Sequence, residues 1–142
     1  MIEIVTSVSD ELVDALNGLI PQLSSSAEPL TIDSVSRVVA SAGNFLFVAR
    51  HEGRIVGTLT LVCFEIPTGT RAWIEDVVVD ESARGLGMGD ALVAAAMERA
   101  RELGARNIDL TSRASRVAAH RLYERAGFEV RETNVYRYSL ES

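Results

Sequence analysis

The chain has 142 residues, of which 47% are hydrophobic and 24% charged, enough to bury an ordinary core without metal or disulfide staples. A net charge of −6 repels polyanions and speaks against broad binding to nucleic acid or to an anionic membrane. The single cysteine, Cys63, excludes an intrachain disulfide, no zinc-ligand spacing occurs, and no apolar run reaches membrane-spanning length.

The start, Met1-Ile2-Glu3-Ile4-Val5-Thr6, lacks the basic opening and apolar stretch of a signal peptide, so a cytoplasmic protein is expected. Ile2 and Ile4 alternate with polar neighbours and predict a short strand. Leu12, Leu16, Leu19 and Leu23 recur at helical spacing behind Ser9, Asp10 and Glu11, which suit a helix start. Pro21 predicts a kink or an end, and residues 22–30 read as a loop. Val35, Val38, Val39 and Ala42 line a second helix, with Gly43 placed to cap it. Phe45–Arg50, Ile55–Phe64 and Ala72–Val79 follow as strands joined by Glu52-Gly53 and Pro67-Thr68-Gly69, an antiparallel meander. Cys63 lies in the middle of these strands and reads as a small core hydrophobe, not a nucleophile.

The second half changes rhythm. Leu92, Ala96, Ala100 and Leu103 form a helical stripe stopped by Gly104. Ile108–Thr111 is a short strand. A helix from about Ser115 carries Ala118, Ala119, Leu122 and Ala126 inward and ends at Gly127. Phe128–Val130 and Val135–Leu140 predict two closing strands. Strand, helix, strand implies a parallel crossover, so residues 1–142 are expected to form one α/β domain on a mixed sheet.

The stretch from Ile74 to Leu92 carries the chemistry. A β-branched strand runs into Arg84-Gly85-Leu86-Gly87-Met88-Gly89, and a helix opens at once. Alternate glycines let successive backbone N–H groups converge on an anion, and the helix N-terminus adds about half a positive charge. A pyrophosphate suits such a site. The loop is not a Walker P-loop, since Gly89-Asp90-Ala91 supplies no Gly-Lys-Ser/Thr. Nor is it a dinucleotide fingerprint, because the position of the third glycine is Asp90 or Leu92.

Arg84-Gly85-Leu86-Gly87-Met88-Gly89 resembles the Arg/Gln-x-x-Gly-x-Gly/Ala signature of the GNAT superfamily of N-acetyltransferases. Ala119-His120-Arg121-Leu122-Tyr123-Glu124-Arg125-Ala126-Gly127-Phe128 is similar to that family's terminal block, and the order of elements agrees across nearly the whole chain. The resemblance implies a mostly antiparallel sheet of six to seven strands flanked by about four helices, with the fourth strand splayed from the fifth. It implies acetyl-CoA as cofactor: pantetheine along Val77, Val78 and Val79, and pyrophosphate on residues 84–89 and the helix start at Asp90. It implies that Tyr123 protonates the departing thiolate. Where many relatives carry a cofactor-touching asparagine, this chain has Ser115 and Arg116.

An attacking amine must shed a proton, since a lysine-like amine has a pKa near ~10.4. Glu75 is the first choice of base and Asp76 the second; strict alternation puts them on opposite faces, so only one would meet the acceptor. His120, one turn from Tyr123, is a further candidate, set against an exposed histidine with no role. The expected reaction is direct attack by a primary amine of a small molecule or peptide, with no metal and no acyl-enzyme. The alternative is a CoA-binding sensor of the same fold without catalysis; an RNA-directed acetyltransferase is disfavoured by the charge. Dimers are common in similar proteins, which leaves a homodimer open. Pro21–Ile32 and the residues before Tyr136 are expected to border the acceptor cleft.

Overall fold

A computed structural model describes residues 1–141. Short turns set its frame. Glu52 and Gly53, at φ of 51° and 77°, make the left-handed pair that a two-residue hairpin requires, and His51 pairs with Arg54 across them. Pro67 and Thr68 make the next turn, across which Ile66 pairs with Gly69. The strands so joined are β2 (Asn44–His51), β3 (Arg54–Ile66) and β4 (Gly69–Val79). β1 (Ile2–Ile4) adds antiparallel to β2, and β5 (Ile108–Asp109) adds parallel to β4, giving the order β1-β2-β3-β4-β5. The α/β class and the mixed, mostly antiparallel sheet are as expected.

Alternation along β2 divides the core. Leu46 and Val48 face one side, where they bury Leu12, Val13 and Leu16 of α1 (Asp10–Leu23) and Val35 of α2 (Ile32–Ala40). Phe47 and Ala49 face the other side and join Leu59, Leu61, Ala72 and Ile74 under Leu92, Val93, Ala96 and Ala100 of α3 (Met88–Glu102). These α3 positions follow the 3.6-residue period, and Gly104, at φ 80°, turns the chain out after it. Ser9 caps α1 by accepting from the Leu12 N–H, and Thr31 with Ser34 forms a capping box on α2.

Several boundaries differ from expectation. α1 runs through Pro21 to Leu23, because a proline in the last turn forfeits only one hydrogen bond while the Leu12–Leu19 stripe holds the helix down. α2 stops at Ala40 with Ser41 as its cap; Gly43 instead supports the turn into β2, where a side chain would strike the Cys63 carbonyl. α4 (Val117–Ala126) leaves Ala118 exposed, and it contains no fully buried residue. The sheet has five strands rather than six or seven: β5 ends at Asp109, and residues 128–141 form neither predicted strand. The apolar alternation there is real, but no strand of the described chain pairs with it.

Candidate active site

The site is built where β4 outruns its neighbour. β5 pairs with β4 only at Ala72–Ile108 and Trp73–Asp109, so from Ile74 to Val79 the backbone of β4 is open on that side. An open parallel edge of this length accepts an extended chain as an added strand. On its other side β4 carries a bulge: Thr58 pairs with Val78 but Thr60 with Glu75, so Asp76 and Val77 together oppose Leu59. Asp76 takes φ of 50°, unusual for a residue with a side chain. The bulge shifts the alternation: Ala72 and Ile74 face α3 before it, Val77 and Val79 after it. Glu75 and Asp76 are both exposed, and the simple opposition expected of them is interrupted.

Past Val79 the chain makes a 3-10 turn (Glu81–Ala83) and enters the glycine loop. Gly85 and Gly87 have φ of 81° and 79°, with open space where their side chains would be. They serve conformation. Gly89 serves packing, since a Cβ there would lie 3.3 Å from Cδ2 of Leu122 on α4. Gly87 caps α3 with no side-chain hydrogen bond, and the first α3 link is Ala91 N–H to the Gly87 carbonyl at 3.0 Å. Among the described residues, none of the backbone N–H groups from Gly85 to Asp90 finds an acceptor. Free donors at a helix N-terminus form an anion site.

Neighbouring side chains fix this loop. Gln22, at the end of α1, donates to Asp80 Oδ1 at 2.7 Å and accepts from the Glu81 N–H at 3.3 Å. Ser82 donates to Asp80 from its hydroxyl and its N–H; the hydroxyl first, then Gln22, hold the Asp80 carboxyl below its ordinary value. Arg84 is exposed, its Nε 3.4 Å from the Val79 carbonyl. Leu86 is exposed, whereas Met88 packs against the α3-side core. The Asp90 carboxylate is engaged by Arg125 of α4 at 3.2 Å, so only its backbone N–H faces the loop freely.

α4 brings the remaining groups. Tyr123 is half-buried, its ring edge-on to Phe128 with centroids 5.9 Å apart. Its hydroxyl has no hydrogen-bond partner among the described residues, and burial, only partly offset by Arg116, raises its pKa. Tyr123 therefore stays a protonated phenol at neutral pH. Arg116 caps the N-terminus of α4 and, like Ser115, is exposed. His120 has its Nε2 2.8 Å from the Arg113 carbonyl, so that nitrogen is a donor already in use. On β4, burial first and Asp76's charge second raise the Glu75 carboxyl, against a downward pull from Arg137. Burial likewise raises the Cys63 thiol, which leaves less thiolate for nucleophilic work.

The sequence pointed to the loop and to Tyr123 but missed Gln22, Arg125 and Arg137. Each acts across 35 or more residues of chain, and no local spacing announces that. No group of three or more His, Cys, Asp or Glu side chains that could hold a metal occurs among the described residues. No helix among them is long and apolar enough to cross a membrane.

Residues 12–128 match the Acetyltransferase (GNAT) family. The chain belongs to that family. It is 31% identical over 114 residues to the N-alpha-acetyltransferase MAK3 of Arabidopsis thaliana, covering 80% of this chain and 60% of the relative. It is 38% identical over 90 residues to the glucosamine 6-phosphate N-acetyltransferase of Trypanosoma brucei brucei, covering 61% of this chain and 59% of the relative. The GNAT chain thus spans about three fifths of the length of these curated relatives. Among solved structures, a presumed acetyltransferase of Agrobacterium tumefaciens strain C58 superposes with a TM-score of 0.86 at 27% identity, covering 98% of this chain and 99% of that one.

Proposed function

We propose that this GNAT chain is an acetyl-CoA-dependent N-acetyltransferase that acts on a primary amine by direct attack. The observation that carries the reading is a succession: an unpaired edge of β4, from Ile74 to Val79, is followed, past the 3-10 turn at Glu81–Ala83, by six backbone N–H groups without acceptors. Coenzyme A, with an extended amide-bearing arm and a pyrophosphate, suits that succession, which supports the reading. When bound, acetyl-CoA supplies an acetyl group activated as a thioester.

The chain's own residues do the rest. The N–H groups of Gly85, Leu86, Gly87, Met88, Gly89 and Asp90 hold the pyrophosphate, with the α3 dipole behind them and Arg84 beside them. Val77 and Val79 offer backbone groups to the arm, and Val78 anchors the strand between them in the core. Ser115 and Arg116, just before α4, are assigned to the cofactor as the family resemblance implies. Glu75 takes the amine proton, its raised pKa making it a better base, and Asp76 keeps that pKa up. Tyr123 holds a proton at its phenol oxygen for the leaving sulfur. Positioning supplies much of the acceleration.

The names of the two curated relatives specify an N-alpha amine and glucosamine 6-phosphate, which share a primary amine. We assign that class, as a small molecule or a peptide, to residues 1–142 acting as one cytoplasmic domain with no nucleic-acid or membrane partner. The test is release of free thiol from acetyl-CoA in the presence of glucosamine 6-phosphate, a polyamine and a peptide with a free N-terminus. Amine-dependent release, with a matching acetylated product by mass spectrometry, is expected. Acetyl-CoA binding without release to any primary amine would replace the enzyme with a CoA-binding module.

A further inference from the structure

The third residue of a helix sits where a side-chain acceptor reaches back to the free N–H groups of the first turn. In α2 this happens: Ser34, third after the cap, accepts from the N–H of the cap residue Thr31 at 2.9 Å. In α3 the same position is Asp90, whose charge suits the positive end of a helix still better. Yet the N–H of the cap residue Gly87 has no acceptor among the described residues, and the Asp90 carboxylate accepts from none of the loop's N–H groups.

Arg125 accounts for the difference. A Cβ at residue 89 would lie 3.3 Å from Leu122, so α4 packs against the first turn of α3. Three residues beyond Leu122, Arg125 donates from Nε to Asp90 Oδ1 at 3.3 Å and from Nη2 to both Asp90 oxygens at 3.2 Å. Both oxygens are thereby turned toward α4. The other charges along this groove are engaged with each other, Arg101 donating to Glu98 at 2.7 Å. Among the described residues, Arg125 therefore has no second carboxylate and Asp90 no second cation.

We propose that Arg125 is a positioning residue that keeps the pyrophosphate site open by holding Asp90 off the N–H groups of its own helix. The inference rests on the pyrophosphate reading above and adds what governs access to that site. Without Arg125, the Asp90 carboxylate folds back onto the Gly87 and Met88 N–H groups as an internal anion, which acetyl-CoA has to displace. With Arg125, the helix end stays uncapped, and the negative charge nearest to it is already paired when the pyrophosphate arrives. The two side chains are 57% and 51% exposed, so the pair adds little to stability and Arg125→Gln is expected to fold.

Two measurements test this. In the free protein, amide hydrogen exchange read by NMR should slow at Gly87 and Met88 in Arg125→Gln. It should return to the wild-type rate in Arg125→Gln with Asp90→Ala. Calorimetric titration with acetyl-CoA at low salt should show Arg125→Gln weaker by about three- to tenfold, the worth of a cap and its charge. The double variant should recover to within about twofold of the wild type. A pair that merely held α4 in place would give another pattern: Asp90→Ala as weak as Arg125→Gln, with no recovery in the double variant. That pattern, or exchange at Gly87 and Met88 unchanged by Arg125→Gln, would overturn the inference while wild-type binding of acetyl-CoA stands. Absence of binding to the wild type would overturn the pyrophosphate reading, and this inference with it.

Discussion

Leu59 of β3 stands opposite both Asp76 and Val77 of β4, and this surplus residue turns Val77 and Val79 to the α3 side of the sheet, the side that Ala72 and Ile74 face before it. Asp76 tolerates its φ of 50° because a short polar side chain suits the left-handed region better than a branched one. Asp76→Asn should leave stability within about 0.5 kcal/mol of the wild type, and Asp76→Val should cost about 1–2 kcal/mol. Urea denaturation of the two variants checks this, because only the second conflicts with the bulge.

The carboxylate pair gives a prediction in pH. Glu75 has a raised pKa, so the base is lost on the acid side as pH falls through that value, and activity falls with it. Removing the negative neighbour with Asp76→Asn lowers that pKa and moves the acid limb of kcat/KM to lower pH. Removing the positive one with Arg137→Gln moves it to higher pH. The stability sign is the reverse of a salt-bridged carboxylate: ionised Glu75 is a penalty above its folded pKa, relieved as pH drops below the unfolded value. Rate profiles for the three proteins against pH decide whether Glu75 is the base.

Tyr123→Phe separates chemistry from packing. The hydroxyl has no partner to lose, so the melting temperature should hold while kcat falls by about 10²-fold, the usual contribution of a placed acid. A large loss of stability with unchanged kcat would make Tyr123 a core residue.

Much of this was legible locally. The α3 stripe, the Glu52-Gly53 turn and the glycine loop each declare themselves within about ten residues, because period, turn chemistry and free donors are properties of short segments. The bulge at Asp76 was not legible, since Val77-Val78-Val79 is apolar throughout and hides a change of parity. Pro21 misled because its penalty depends on where the helix ends. The closing strands were read from a true alternation at Tyr136, Tyr138 and Leu140, but a strand needs a neighbour, and pairing is not local. The anchoring of Asp80 by Gln22 spans 58 residues and escaped for the same reason.

That anchor is itself testable. Gln22→Ala removes the side-chain links to Asp80 and Glu81 while leaving the glycines intact. The loop then starts from a looser base, so KM for acetyl-CoA should rise about three- to tenfold with kcat nearly unchanged, a loss of about 1 kcal/mol or slightly more. Steady-state kinetics against acetyl-CoA at saturating amine measure it.

The measurement closest to the central claim is calorimetric titration of acetyl-CoA into the wild type and into Gly87→Glu. Space at residue 87 is open, but its φ of 79° and the free N–H groups around it tolerate neither a side chain's strain nor a negative charge. Binding at micromolar affinity in the wild type, abolished in a variant that keeps its circular dichroism, is the predicted result. Absence of binding to the wild type, or equal binding to both proteins, would contradict a pyrophosphate site at the start of α3.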